Sequence, residues 1–361
     1  MTPDVIIAGG GVIGLVTAHA LAREGARVTL VDEGRPAATA AAAGMLAPSF
    51  ERALSAGEAL EEFSRASLAR WRDLAPEIEA ASGLSVDLQA TGVLSVVFDD
   101  EDAGAFSEDL SGGAALTARE ACALEPALAP DVACAFFAEG DGQIDPRALL
   151  AALPVSLARA GARLIRGQRV AALVEEAGAV RGVRLASGEF LAGEAVILAT
   201  GARIDGLGAL PAGAVFPVKG EALALAGRLT RVVRTRSAYL CPKADGRLIV
   251  GATQIPRDTS LTTDDARIGR LIAGARRAVP SFAAAQEIER WAGLRPATAD
   301  GLPIIGPATD GPMGLHYALG HYRNGVLLAP ATADALVQNL IHGAPPPAAF
   351  GAARFHPSVQ N

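Results

Sequence analysis

Cysteine and histidine are scarce in this chain, and aromatic residues make up only 4% of it. The three cysteines among 361 residues, Cys122, Cys134 and Cys241, lie far apart with no CxxC spacing. That excludes a disulfide framework and a zinc cage, and it fits a reducing compartment, so a cytoplasmic protein is expected. Five scattered histidines, with no HExxH or Walker motif and no Cys/His nucleophile pair, give no reason to expect a metal centre. A basic excess is also lacking: 32 Lys and Arg against 39 Asp and Glu leave a net charge of −7. Nucleic acid and anionic membrane surfaces, which select basic faces, are therefore not expected partners. The acidic run Asp99-Asp-Glu-Asp102 reads as a solvated loop rather than a calcium site. A long apolar segment is missing too. Residues 5–22 carry no Asp, Glu, Lys or Arg, but Gly9, Gly10, Gly11 and Gly14 interrupt them and no basic region precedes them. Neither a signal peptide nor a membrane span is expected. Homo-oligomerisation is left open.

What the chain does have is 50% apolar and 20% charged residues, a globular composition. Its length exceeds what one core usually serves, so two domains are expected. Residues 4–8 form a short β-branched run suited to a buried parallel strand. Helical spacing follows from Val12 to Glu24, closed by Gly25, and a second buried strand ends at Asp32-Glu33. Residues 36–48 are an alanine-rich stretch that composition alone reads as a flexible tract. A helix is expected over 57–82, a strand over 92–98, and a capping box at Thr117-Ala-Arg-Glu120. Strands and hairpins fill 163–200 and 214–255, the clearest pairing 238–242 with 247–252 across Asp245-Gly246. Thr262-Thr263-Asp264-Asp265 caps a helix through about Val279, which Pro280 ends. Gly/Pro-rich turns are expected after Trp291, and a last helix from about Ala331 to Ile341.

Gly9-x-Gly11-x-x-Gly14 sits between a strand and a helix, the context in which such a motif binds a dinucleotide. The first glycine permits the turn, the second a close approach of backbone to pyrophosphate, and the third close packing of helix on strand. The phosphates would face Val12 and Ile13 at the positive end of the helix. Asp32, 18 residues beyond Gly14, is placed to accept from ribose hydroxyls, with Glu33 as the second choice. An acid there argues against a 2′-phosphate. The motif does not choose between NAD and FAD. Thr200-Gly201 ends another buried strand, and Gly320-His-Tyr-Arg-Asn-Gly325 precedes a helix whose N-terminus would set positive potential against a flavin ring.

Five segments together carry a resemblance: the glycine-rich N-terminus, Ala42-Ala-Gly-Met-Leu-Ala-Pro48, Tyr239 to Thr253, Trp291 to Pro296 with Asp300 to Gly306, and Gly320 to Pro330. In order along the whole chain they resemble the D-amino-acid oxidase family of FAD-dependent oxidoreductases, in particular its thiamine-pathway glycine oxidase branch. The resemblance implies an α/β fold in which a β-rich (α+β) substrate domain is inserted in a Rossmann-like FAD-binding domain. Residues 1–84, 141–206 and 295–361 would bind FAD, and 85–140 and 207–294 would bind substrate. It implies further that Thr39 and Ala42, Ala43, Gly44 and Met45 form a loop beside the flavin. Val170, Thr200, Gly201, Arg295 and the run His321, Tyr322, Arg323, Asn324, Gly325, Val326 and Leu327 complete the implied cofactor set.

The resemblance assigns the substrate carboxylate to Arg295, and a guanidinium fork matches a carboxylate bidentately. Tyr239 matches the family tyrosine that helps hold the same group, and Arg323 an arginine close to substrate and flavin. Gly44 and Met45 would wall a small cavity. Two positions depart from the pattern: Glu221 stands where glutamine is expected, and Gln254 where an apolar pocket residue would suit glycine. The implied reaction is oxidation of the Cα–N bond of glycine to an imine, then glyoxylate and ammonia, with O2 reduced to H2O2. Sarcosine or D-amino-acid oxidation or dehydrogenation is the alternative within the fold. An NAD-binding regulator without turnover is the alternative outside it.

Overall fold

The structure is a computed structural model and describes residues 4–35, 37–50, 57–98, 113–203 and 206–355. The acidic run Asp99–Asp102 lies outside them. The first strand, Asp4–Ala8, occupies the middle of a six-stranded sheet. Its order is Ile304–Pro307, Leu315–Leu319, Ala195–Leu198, Asp4–Ala8, Arg27–Asp32, Arg163–Arg166, and only Ile304–Pro307 runs antiparallel. The side chains of Asp4–Ala8 alternate between two cores. Val5 and Ile7 pack beneath helices α1 (Val12–Arg23), α3 (Gly57–Ser82), α5 (Pro146–Arg159) and α7 (Gly325–His342). Ile6 and Ala8 face a small sheet of Val170–Glu176, Ala179–Leu185 and Phe190–Ala192. A strand buried on both faces explains why this run is apolar throughout rather than alternating.

A nine-stranded sheet makes the second unit. Along it run Ile255–Pro256, Val215–Ala226, Arg247–Gly251, Tyr239–Pro242, Val232–Arg234, Val93–Val97, Cys134–Ala138 and Ala114–Thr117, with Glu287–Thr298 also paired to Val215–Ala226. α6 (Asp265–Ala278) covers one face through Ile268, Leu271 and Ala275. α4 (Ala118–Leu124) opens with the expected capping box, Thr117 and Glu120 each bonding the other's backbone N–H. The short α2 (Ala38–Ala41) lies within the alanine-rich stretch.

Two expectations need correction. The stretch after Trp291 does not begin as turns: it is part of the long strand Glu287–Thr298, and the turns come only after it. Its pairing with Val215–Ala226, some seventy residues earlier, overrides the local Gly/Pro signal. Pro296 stands directly opposite Pro217, and a position between hydrogen-bonded pairs needs an N–H from neither. The last helix starts at Gly325, not near Ala331. Pro330 reads locally as a helix boundary because it cannot donate to the Val326 carbonyl. Here the Trp71 indole N–H donates to that carbonyl at 2.9 Å. The Ser67 hydroxyl donates to the Leu327 carbonyl at 2.6 Å and accepts from the Ala331 N–H at 3.1 Å. Two side chains of α3 thus repair the turn that the proline breaks.

Candidate active site

A cavity of about 460 Å³ runs from the glycine-rich turn to the face of the nine-stranded sheet. At its first end the backbone does most of the work. Gly9 has φ of +117° and backs against the Ala199 carbonyl, a position no side chain could share. A Cβ at Gly14 would collide with the Gly9 carbonyl, so Gly14 closes helix on strand from behind the cavity wall. The Asp32 carboxylate accepts from the Gly10 N–H at 3.3 Å, and Glu33 pairs with Arg35 at 3.0 Å; all four residues line the cavity. Gly10, between the motif glycines, was not singled out from the sequence, since its identity matters only through this contact.

The N-cap of α1 is Gly11 and that of α7 is Asn324, and neither makes a side-chain cap. Two helix N-termini therefore open on one cavity with their positive ends. The Thr39 hydroxyl accepts from the Val12 N–H at 3.0 Å, which fastens the alanine-rich stretch to the start of α1. The Trp291 indole donates to the Ala41 carbonyl at 3.0 Å, and Arg147 donates to the Ala40 carbonyl at 3.2 Å while lying over the Trp291 ring. These bonds make the tract an ordered wall, with Ala42, Ala43, Gly44 and Met45 along the cavity. Val170, Gly201 and Thr200 line it as well, and the buried Thr200 hydroxyl has no hydrogen-bond partner among the described residues. An elongated cleft with an acid at one end, two helix starts whose N-cap residues make no side-chain cap and an orphaned hydroxyl fits a dinucleotide such as FAD.

At the second end the side chains take over. Arg295 on Glu287–Thr298 donates to the Thr253 carbonyl at 3.0 Å. Its guanidinium fills the space a Cβ would occupy at Gly220, and the Tyr239 hydroxyl likewise fills that of Gly251. Burial pushes the Tyr239 phenol above its ordinary range, while the neighbouring Arg295 and, more weakly, Arg323 pull it back. Arg295, Tyr239 and Arg323 thus meet at one end of the cavity, with Arg234 also lining it. The lining acids, Asp32 and Glu33, belong to the opposite end.

His321 lines the cavity but is held by Thr332 Oγ1 at 3.0 Å, and burial pushes its pKa down to about 3. It is a neutral packing group at ordinary pH. Tyr322, Asn324, Gly325 and Val326 border the cavity, whereas Leu327 is turned into the core beneath the sheet. Glu221 lies off the cavity, fully buried, where it pairs with Lys219 and Arg267 at 3.3 Å each. Its carboxylate answers those two cations, which explains an acid at that place. Gly220 and Gly251 were missed in the sequence; their neighbours across the strands, Arg295 and Tyr239, are what make them necessary.

A family model described as FAD dependent oxidoreductase matches residues 4–339. The chain is similar to glycine oxidase of Bacillus licheniformis, 34% identical over 354 residues, covering 95% of this chain and 94% of that protein. It is 36% identical to the bifunctional protein ThiO/ThiG of Synechocystis sp. over 352 residues, 94% of this chain and 52% of that protein. The crystal structure of glycine oxidase from Geobacillus kaustophilus matches with a TM-score of 0.86 at 32% identity, covering 98% of each chain.

Proposed function

The chain belongs to the family of FAD dependent oxidoreductases, and on that footing we propose that it oxidises glycine at the Cα–N bond, releasing glyoxylate and ammonia while O2 becomes hydrogen peroxide. The observation that carries this reading is the meeting of Arg295, Tyr239 and Arg323 at the far end of a cavity that begins at a dinucleotide motif. Relatives named glycine oxidase, similar over nearly the whole chain, support glycine over sarcosine or a D-amino acid.

FAD supplies the two-electron acceptor. Gly9, Gly11 and the start of α1 would hold its pyrophosphate, Asp32 its ribose, and the segments 39–45 and 320–326 its ring. The protein's own part is placement. Arg295 presents a fork to the substrate carboxylate, and Tyr239 adds a neutral donor, since its raised pKa keeps the phenol protonated. Fixing the carboxylate at one point leaves Cα a small arc of positions, the kind of restriction that replaces much of a bimolecular barrier. Among the described residues no acid lines this end, and His321 is spent on Thr332. The amine must therefore arrive already neutral, its proton lost to solvent rather than to a side chain.

Residues 1–84, 141–206 and 295–361 form the FAD-binding part in this reading, and 85–140 with 207–294 the substrate part. Among the described residues no helix is long and apolar enough to cross a membrane, and all three cysteines are free. The free cysteines fit the reducing cytoplasm this reading assigns to the enzyme. The test is the visible spectrum of the purified protein under anaerobic conditions, before and after glycine. A yellow protein bleached by glycine is expected. A yellow protein that glycine leaves oxidised overturns the substrate, and a colourless one that added FAD cannot restore overturns the cofactor's role.

A further inference from the structure

At the substrate end one hydrogen bond joins two walls that the chain builds separately. The Tyr322 hydroxyl donates to Gln254 Oε1 at 2.6 Å. Gln254 is exposed and Tyr322 half-buried, and both line the cavity, so the bond lies at its solvent edge. Each partner is firmly held from behind. The residue before Gln254, Thr253, receives Arg295 on its carbonyl at 3.0 Å, and its hydroxyl accepts from the Glu221 N–H at 2.8 Å. Tyr322 precedes Arg323 on the segment that opens α7, and it has a left-handed backbone, φ +49°, which residues other than glycine, asparagine and aspartate seldom adopt. Such a conformation persists only where the surroundings over-determine it, and it aims the ring at Gln254 rather than along the wall.

We propose that the Tyr322–Gln254 pair is the specificity-determining latch of this cavity. It closes the mouth beside the Arg295 carboxylate position and turns away amines that carry a bulky substituent on nitrogen or Cα. A carboxylate anchored on Arg295 puts the rest of the molecule next to the residue that follows Thr253, which is Gln254. Glycine needs no room there. A longer substituent must break the Tyr322 hydrogen bond and leave a phenol and an amide to find water.

The inference rests on the carboxylate reading above but is tested by binding, without turnover. The FAD-loaded protein is titrated with acetate, methoxyacetate and ethoxyacetate, following the perturbation of its visible band. The same titrations are made with Tyr322→Phe, Gln254→Ala and the double variant. The affinity ratio of ethoxyacetate to acetate should rise by about tenfold or more in each single variant, since about tenfold is the low end of what a single methylene is worth in a closed pocket and an ethoxy group is larger. It should rise no further in the double variant, because either change opens the same latch. A ratio unmoved in the single variants, or effects that multiply, would overturn the latch while leaving the carboxylate site intact. Absence of acetate binding in the unaltered protein would overturn both.

Discussion

The two ends of the cavity are built from different materials. The cofactor end is mostly backbone: the turn at Gly9–Gly11, the starts of α1 and α7, and carbonyls tied off by Trp291 and Arg147. The substrate end is mostly side chain, with Arg295, Tyr239, Arg323 and Gln254 brought from four places in the sequence. Backbone donors are the same whatever residue carries them, so the first end tolerates change except where a Cβ has no room. At the second end the identity of each side chain is the chemistry, and the space for it is provided by glycines across the sheet.

The sharpest way to break that contrast is Gly14→Val. Its side chain would meet the Gly9 carbonyl, so the start of α1 cannot stay in place and the purified protein should be colourless and less stable. If Gly14→Val still held FAD with unchanged affinity, the account of the backbone end would be wrong. Next in size is Arg295→Ala, which should raise KM for glycine on the order of a hundredfold while FAD remains bound, as loss of a charged partner implies. Arg295→Lys sharpens the point. It keeps the charge but loses the fork, and should recover only part of the affinity. An unchanged KM in Arg295→Ala would remove the carboxylate from this residue.

A further effect concerns pH and bears on stability rather than on glycine binding. Burial holds His321 near a pKa of about 3 and His19 near about 4, against an ordinary 6.5. Below pH 6.5 the unfolded chain binds protons that the folded one refuses. Stability should therefore be complete above that pH and fall as pH drops from 6.5 towards 4 and 3. Each pH unit crossed costs up to about 1.4 kcal/mol per histidine. A Tm that stays flat from pH 7 to pH 4 would contradict this. Activity, in contrast, should climb on the alkaline side as the amine loses its own proton, with no break near 6.5 from His321.

The same contrast explains how much could be read in advance. The strand, turn, helix, strand and acid from Asp4 to Asp32 lie within thirty residues, and each piece is dictated by its neighbours, so sequence spacing suffices. The substrate end is non-local. Arg295, Tyr239 and Arg323 were found through resemblance, and no spacing links them. The strand around Arg295 looked like turns because its partner lies at Val215–Ala226. The start of α7 was hidden by Pro330, whose repair comes from Ser67 and Trp71 on another helix. The alanine-rich stretch looked like a linker because the groups that hold its carbonyls, Arg147 and Trp291, are far away in the chain.

The chain contains two tryptophans, and each gives its indole N–H to a carbonyl on a segment that borders the cavity: Trp71 to Val326, Trp291 to Ala41. Indole emission responds to hydrogen bonding and to nearby absorbing rings. The protein therefore carries its own optical probes, one on each side of the cleft. Filling the cavity should register in both, and single Trp→Phe replacements would separate the signal of the α7 side from that of the alanine-rich wall without any label.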